Sequence, residues 1–203
     1  MNDIINTIDI LGEQAVEDLL LTGELTEFAD IRVTTLGGFS GLGDLPKLER
    51  VSLPLLNPAV TVAGTVQQNS LTRCTALETV VLPSATSLQY NSFEGCTALK
   101  TIMLPKIEKV LYSNVFKGCT AFNTLILPNK FAVCPCSTTN NFTGTPFETG
   151  SGYVYVPKEM ADGSDGVAAY SSATNWSVYA GQFRYIEDYP EILAMVKEEV
   201  PWY

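Results

Sequence analysis

Hydrophobic residues in the middle of the chain occur in short blocks of about five, and successive blocks end at a Leu-Pro pair. Apolar and polar positions alternate within a block, which is typical of a strand with one buried face. A block of this length is too short for a stable helix. The pattern therefore predicts a series of short β-strands separated by turns.

The blocks are copies of one another. The segment C-T-A-L-E-T-V-V-L-P at 74–83 recurs as C-T-A-L-K-T-I-M-L-P at 96–105 and C-T-A-F-N-T-L-I-L-P at 119–128, with a weaker copy at 48–54. A second shared element, such as N-S-F at 91–93, precedes each cysteine by the same number of residues. Each copy thus holds two strand-like pieces within the span of about 20–29 residues expected of leucine-rich repeats.

These copies, with A-T-S-L-Q-Y-N-S-F-E-G at 85–95, resemble the BspA-like bacterial leucine-rich-repeat family. The stretch Y-V-Y-V-P at 153–157, followed by A-Y and N-W, is similar to the closing signature of that family. The resemblance covers roughly residues 45 to 188. It implies a leucine-rich-repeat solenoid that is mainly β, with short parallel strands stacked in a right-handed coil. It also implies adhesion at the cell surface or outside the cell.

A solenoid has exposed ends that need covering, and the chain divides accordingly. We predict a helical N-terminal cap at 1–44, because apolar residues recur at helical spacing between 3 and 21. The leucine-rich repeats are predicted at 45–157, including a loop at 129–150 where the repeat pattern breaks. An α/β C-terminal cap is predicted at 158–203, with a last helix that Pro190 opens.

Half of the strand positions should point into the coil. The residues predicted to be buried there are Leu77, Val80, Leu82, Leu99, Ile102, Leu104, Phe122, Leu125 and Leu127. Leu71, Phe93 and Phe116 are expected to fill the opposite side. The equivalent cysteines Cys74, Cys96 and Cys119 are predicted to be small core residues.

Alternation leaves two outward positions per strand, which stack into two columns about 20 Å long. The first column contains Arg50, Thr79, Thr101, Thr124 and Tyr153, and the second contains Ser52, Val81, Met103, Ile126 and Tyr155. All of them except Ser52 are interpreted as partner-binding residues, with the apolar second column as an exposed docking stripe. Two alternatives stay open: lateral packing on the sheet, or a cover formed by a cap or a neighbouring chain.

The charge balance argues against two classes of partner. Twenty-two acidic and twelve basic residues give a net charge of −10, which disfavours nucleic acid and anionic membranes. No apolar stretch approaches the roughly 18 residues of a membrane-spanning helix. The first residues, M-N-D-I-I-N, do not resemble a secretory signal peptide. We therefore expect export by another route, action at the site of synthesis, or a natural start further upstream.

The residue types for most catalytic sites are missing. The chain has no histidine, which excludes Ser-His-Asp and Cys-His arrangements and histidine-based zinc sites. Five cysteines, an odd number, exclude a complete disulfide framework. Cys134 and Cys136 are interpreted as a loop thiol pair and not as a metal site, leaving open whether both thiols are free. We predict no catalytic activity, no metal and no cofactor.

Two loops superficially suggest ligand binding. The glycine-rich stretch at 38–43 fits neither G-x-G-x-x-G nor a P-loop. The acidic stretch at 162–166 has too few oxygen ligands for calcium, so we interpret it as a turn in which Ser164 or Asp165 begins a short helix ending near Tyr170. Both loops are read as turns.

The leading hypothesis is a non-catalytic, adhesin-like recognition module that presents its repeat face to a protein or glycan partner. Its alternative is a structural or receptor-binding component of a phage tail or prophage-encoded assembly, because such parts need no signal peptide. Tail and baseplate genes beside this one would favour the alternative. The identity of the partner and the oligomeric state do not follow from the sequence.

Overall fold

The computed structural model describes residues 27–29, 50–52, 65–66, 71–83, 85–109, 111–200 and 203. The predicted helix within 3–21 and the glycine-rich stretch at 38–43 lie outside the described residues. So do most residues of the predicted N-terminal cap.

Short parallel strands recur along the chain. They are β1 (Glu27–Ala29), β2 (Arg50–Ser52), β3 (Thr65–Val66), β4 (Thr79–Val81), β5 (Ser87–Leu88), β6 (Thr101–Met103), β7 (Thr124–Ile126), β8 (Tyr153–Val156) and β9 (Phe183–Tyr185). Seven of them form one sheet in the order β1-β2-β4-β6-β7-β8-β9, and every pair is parallel. Strands β4, β6 and β7 each end just before a Leu-Pro pair, because proline cannot continue the hydrogen-bonded ladder.

A second parallel ladder joins the other strand-like pieces. Strand β3 pairs with β5, and isolated parallel bridges extend this ladder from Leu88 to Leu111 and from Leu111 to Cys136. Each coil therefore contributes to both ladders, and each coil stacks on the next. The described residues form a repeat fold with parallel strands, as the sequence predicts.

The turns between the two ladders require left-handed backbone. Asn91 and Asn114 have φ values of 56° and 59°, and Gly95 and Gly118 have φ values of 76° and 74°. An added Cβ at Gly118 would approach the backbone of Gly95 only to 3.8 Å. The positive φ, and not lack of space, thus favours glycine at this position. The repeated asparagine fits because asparagine tolerates this conformation better than most residues.

The interior is one apolar cluster, which we call the repeat core. All of the predicted inward positions are fully buried. The repeat core consists of Leu71, Cys74, Leu77, Val80, Leu82, Ala85, Leu88, Phe93, Cys96, Leu99, Ile102, Leu104, Ile107, Leu111, Val115, Phe116, Cys119, Phe122, Leu125, Leu127, Cys134, Cys136, Phe142, Phe147, Val154, Val156, Tyr170, Trp176, Tyr179 and Phe183. The prediction that the three repeated cysteines are core residues is confirmed.

Equivalent residues of successive coils contact each other inside the repeat core. The rings of Phe93 and Phe116 are stacked with centroids 6.0 Å apart, and Phe116 and Phe142 follow at 5.7 Å. The thiol of Cys119 donates a hydrogen bond to the carbonyl of Phe93, with sulfur and oxygen 3.0 Å apart. Each coil is thereby tied to the preceding one by both apolar and polar contacts.

The segment at 129–150 is not the break in the repeat that the sequence predicts. It contains two short 3₁₀ helices, Thr139–Phe142 and Pro146–Thr149, and it buries Cys136, Phe142 and Phe147 in the repeat core. The prediction failed because extra residues change the spacing without changing the inward positions. Asn141, which is fully buried, satisfies this irregular backbone by donating a hydrogen bond from Nδ2 to the carbonyl of Thr138 at 3.1 Å.

The described C-terminal part of the chain contains two α-helices and two 3₁₀ helices, the latter at Ser177–Gln182 and Ile186–Asp188. Helix α1 (Gly166–Ser172) begins after Asp165, whose carboxylate accepts a hydrogen bond from the amide of Ala168, as predicted for this turn. Helix α2 (Pro190–Glu199) has Pro190 in its first turn, also as predicted. Among the described residues, no helix has the length and apolar character needed to cross a membrane.

This C-terminal part packs against the segment around Cys134. The indole nitrogen of Trp176 donates a hydrogen bond to the carbonyl of Cys134 at 2.7 Å, and the amide of Cys134 donates to the hydroxyl of Tyr170 at 3.1 Å. The Trp176 ring lies 5.8 Å from that of Phe142, centroid to centroid. The aromatic residues near the C-terminus therefore extend the core and are not a separate layer.

Candidate functional site

The outward face of the seven-stranded sheet has the two columns that the sequence predicts. Pairing across adjacent strands aligns Arg50, Thr79, Thr101, Thr124 and Tyr153 in the first column. The same pairings align Ser52, Val81, Met103, Ile126 and Tyr155 in the second column. The predicted register is confirmed for both columns.

The second column is not an exposed stripe, and this part of the prediction is wrong. Met103 and Ile126 are fully buried, Tyr155 is 7% exposed, and Val81 is half-buried. Helix α2 covers them, because Ile192 and Val196 lie one turn apart on one helix face and pack against the column. The apolar character of the column is explained by this intramolecular contact.

We call this second apolar group the helix-covered cluster. It consists of Met103, Ile126, Tyr155, Ile186, Ile192, Val196 and Val200, with Val81, Tyr189, Leu193, Met195 and Tyr203 packed against it. Tyr155 and Tyr189 meet edge to face with centroids 5.2 Å apart. The helical spacing of Ile192 and Val196 is the sequence signal for this cover, but their target on the sheet is not evident from local sequence.

The first column remains accessible and forms a polar row, which we call the strand row: Thr79, Thr101, Thr124 and Tyr153. Thr79 is exposed, Thr101 and Thr124 are half-buried, and Tyr153 is 37% exposed. The side chain of Arg50 is outside the described part of the structure. Of the predicted partner-binding residues with described side chains, the strand row is the accessible group.

Arg184 lies beside one end of the strand row, and the sequence reasoning missed it. Its backbone pairs with Tyr155 of the second column, but its side chain reaches Tyr153 of the strand row. Its guanidinium carbon lies 4.4 Å from the centroid of the Tyr153 ring, a cation–π geometry. Its Nη1 also donates hydrogen bonds to the carbonyls of Gly181 and Phe183, which fix the guanidinium group. Arg184 lies on β9, and no repeat motif marks that strand.

Polar contacts flank the strand row, one between two repeats and one within a repeat. The ammonium group of Lys100 and the carboxylate of Glu78 are 2.9 Å apart, and both side chains are about half exposed. The hydroxyl of Thr124 donates a hydrogen bond to the side-chain oxygen of Asn123 at 2.9 Å. The accessible face is therefore polar and is built on a hydrogen-bonded sheet.

A family comparison identifies the repeats. Residues 60–146 match, in six copies, the family model described as BspA type Leucine rich repeat region. The repeat region is of the BspA type. The comparisons with curated proteins and with solved structures give no significant match. The match extends through most of the segment at 129–150, in agreement with the buried positions of Cys136 and Phe142.

Cys96, Cys134 and Cys136 of the BspA-type repeats are poor nucleophiles. All five cysteines of the chain are buried and form no disulfide. The hydrogen bond with the Cys119 thiol is the largest cause that raises the pKa of Cys96, and burial raises the pKa of Cys134 and Cys136. A raised pKa keeps a thiol protonated at neutral pH, so it is a weak nucleophile and a weak metal ligand. These thiols are core residues of the repeats.

The described residues around the BspA-type repeats also hold no grouping of three or more Cys, Asp or Glu side chains arranged to bind a metal ion. The acidic turn at 162–166 is used internally. The Oδ1 of Asp162 accepts hydrogen bonds from the amide and the hydroxyl of Ser164, and the Oδ2 of Asp165 accepts one from Tyr185. The carboxylates of this turn are therefore engaged in hydrogen bonds within the described part of the chain.

Proposed function

We propose that this protein is a non-catalytic recognition module whose strand row contacts a protein partner, in an adhesin-like role at the cell surface or outside the cell. The observation that carries the proposal is the accessibility of the strand row next to a second column that is already covered. Accessible side chains on adjacent parallel strands keep fixed spacing, so they offer a preformed contact surface.

The residue types of the strand row support a protein partner. Tyrosine and arginine are enriched among the residues that contribute most to protein–protein binding, and Tyr153 and Arg184 are held together at one end of the row. The threonines supply hydroxyl donors and acceptors along the rest of the row. A polar row with one aromatic anchor is suited to a reversible contact.

The proposal includes an architecture. The coils form a right-handed leucine-rich-repeat solenoid, with the segment at 158–203 as its C-terminal cap and a helical cap at the other end. The contacts of Trp176 and Tyr170 with Cys134 support the C-terminal cap, because they cover the last coil. A solenoid of this kind needs such a cover, since its terminal coil has an apolar face without a neighbour.

The test is binding of the full chain to a panel of purified extracellular matrix proteins, measured by biolayer interferometry. The double variant Thr101→Arg and Thr124→Arg places bulky charged side chains in the strand row. Its matched control is Thr97→Arg and Thr120→Arg, the same change at equivalent exposed positions in the Cys-Thr-Ala turns. We expect the first pair to abolish binding and the second pair to retain it.

Two results would reject the proposal. Absence of binding to every matrix protein would reject the adhesin-like role. Equal loss of binding in both double variants, with folding unchanged by circular dichroism, would reject the strand row as the contact surface.

A further inference from the structure

An exposed aromatic side chain stands on a fixed loop after β7. Phe131 is 72% exposed, although its amide donates a hydrogen bond to the side-chain oxygen of Asn129 at 3.0 Å. The side-chain nitrogen of Asn129 donates in turn to the carbonyl of Ile107 in the preceding coil at 3.1 Å. The amide of Ala161 donates to the carbonyl of Lys130 at 2.8 Å. The backbone is thus held from two sides while the ring faces solvent.

Two cavities flank this loop and share Lys130. One has a volume of about 590 Å³ and is lined partly by Pro105 and Phe131. The other has a volume of about 310 Å³ and is lined partly by Pro157 and Tyr203. Both volumes fall in the range of about 300–1,000 Å³ that is usual for ligand sites. We call these two cavities, with the Lys130 side chain that lines both, the corner groove.

The charges of the corner groove are balanced. It is lined by three lysines and three glutamates: Lys106, Lys130, Lys158, Glu108, Glu159 and Glu187. The whole chain has a net charge of −10, so a polyanion would be repelled at long range. A strongly cationic ligand would meet the three ammonium groups in the groove. An uncharged ligand avoids both the long-range repulsion by the net charge of the chain and the repulsion by the ammonium groups.

The same lining is rich in hydrogen-bonding groups. Ammonium groups only donate hydrogen bonds and carboxylates only accept them, whereas a hydroxyl group does both. A ligand with many hydroxyl groups can therefore use both kinds of side chain at once. The exposed ring of Phe131 offers apolar area for the C–H face of a sugar ring. Two neighbouring cavities that share Lys130 fit a chain of several rings better than a single ring.

We propose that the corner groove binds an uncharged oligosaccharide. Phe131 stacks against one sugar ring, and the lysines and glutamates bind the hydroxyl groups along the chain. The corner groove contains no residue of the strand row, so this inference does not depend on the proposed protein partner.

The experiment is an amide ¹H–¹⁵N NMR titration of the full chain with maltotriose, cellotriose and N,N′,N″-triacetylchitotriose at millimolar concentrations. We expect at least one trisaccharide to shift the amides of the corner groove, including those of Lys130 and Phe131. The variant Phe131→Ser should weaken this binding about tenfold. Its control is Val178→Ser, which removes another exposed apolar side chain outside the groove and should leave binding unchanged.

Three outcomes would overturn the inference. None of the trisaccharides causes a shift, or the shifts fall on the strand row instead of the corner groove. In the third, sialyllactose or an acidic hexapeptide binds the same groove more tightly than any neutral trisaccharide, which would assign the groove to an anionic ligand. Binding of a matrix protein at the strand row is measured separately, so each proposal can fail without the other.

Discussion

Two apolar clusters stabilise the described part of the chain, and they are built in different ways. The repeat core takes equivalent residues from successive coils, so each layer is supported by the layers before and after it. The helix-covered cluster joins one outward column of the sheet to helix α2. Its burial therefore depends on a single non-repeating element. A buried outward column therefore need not be part of the repeating interior.

Helix α2 depends on the sheet as much as the column depends on the helix. It has ten residues, and a helix of this length is marginal by itself in water. The residue before it, Tyr189, makes no side-chain capping hydrogen bond. Packing of Ile192 and Val196 must then supply most of its stability. We expect α2 to open more readily than the repeat core.

The largest effect should come from the repeat core. Phe116→Ala removes a fully buried ring that contacts Phe93, Phe122 and Phe142, and we expect a loss of about 3–5 kcal/mol in the free energy of unfolding. Phe131→Ala is the matched control, because it makes the same change at a ring that is 72% exposed. Its effect should stay within about 0.5 kcal/mol. Urea denaturation measures the free energy of unfolding of both variants. Similar losses in the two would mean that burial of the ring does not determine the size of the effect.

A smaller and more local effect should come from the helix-covered cluster. Val196→Asp places a charge where the side chain is fully buried, and we expect α2 to detach at a cost of about 2–3 kcal/mol. Ala194→Asp is the matched control, since it adds the same charge to the exposed face of the same helix. Hydrogen exchange should show lost protection at 190–199, with protection retained in β6 and β7.

The opposite result would remove the distinction between the two clusters. If Val196→Asp lowers protection in the strands as much as in α2, the two clusters unfold as one unit. The repeat core and the helix-covered cluster would then differ in how they are packed but not in their stability.

The two clusters also differ in how far the sequence predicts them. Leu77, Val80 and their equivalents are predictable because the same pattern returns in each coil, which fixes both register and direction. The burial of Met103 and Ile126 is not predictable in this way. The helix that covers them lies about 60 to 90 residues further along the chain and shares no periodicity with them. Arg184 was missed for the same reason. The segment at 129–150 was misread because its extra residues hide the repeat spacing.

Variants at Asp165 test the C-terminal part of the chain at a position that belongs to neither cluster. Asp165 caps α1 and also accepts a hydrogen bond from the hydroxyl of Tyr185, and this second bond is the main reason that the pKa of the Asp165 carboxyl is lowered. Asp165→Ala should cost about 1 kcal/mol through loss of the cap. Asp165→Asn should cost less, because asparagine is an equally good capping residue.

The same carboxyl predicts a direction of pH dependence. The pKa of this carboxyl is lower in the folded state than in the unfolded state. Its contribution to the free energy of unfolding is therefore complete above the ordinary pKa of the carboxyl, and it is lost as the pH falls through the lowered value. The contribution is small because Asp165 is exposed. Urea midpoints at pH 7 and pH 3 should differ less for Asp165→Asn than for the natural chain. An unchanged difference would assign the acid sensitivity to other carboxyls.

The smallest effect should come from the ion pair beside the strand row. Lys100 and Glu78 belong to adjacent coils, but both side chains are 55% exposed, so water and salt screen their attraction. Lys100→Ala should therefore cost no more than about 0.5 kcal/mol, and added salt should reduce even that. Lys109→Ala is the control, because Lys109 is exposed and forms no ion pair with any described residue. A loss above 1 kcal/mol for Lys100→Ala alone in urea denaturation would mean that charge pairing across coils, and not only apolar packing, sets the stability of the stack.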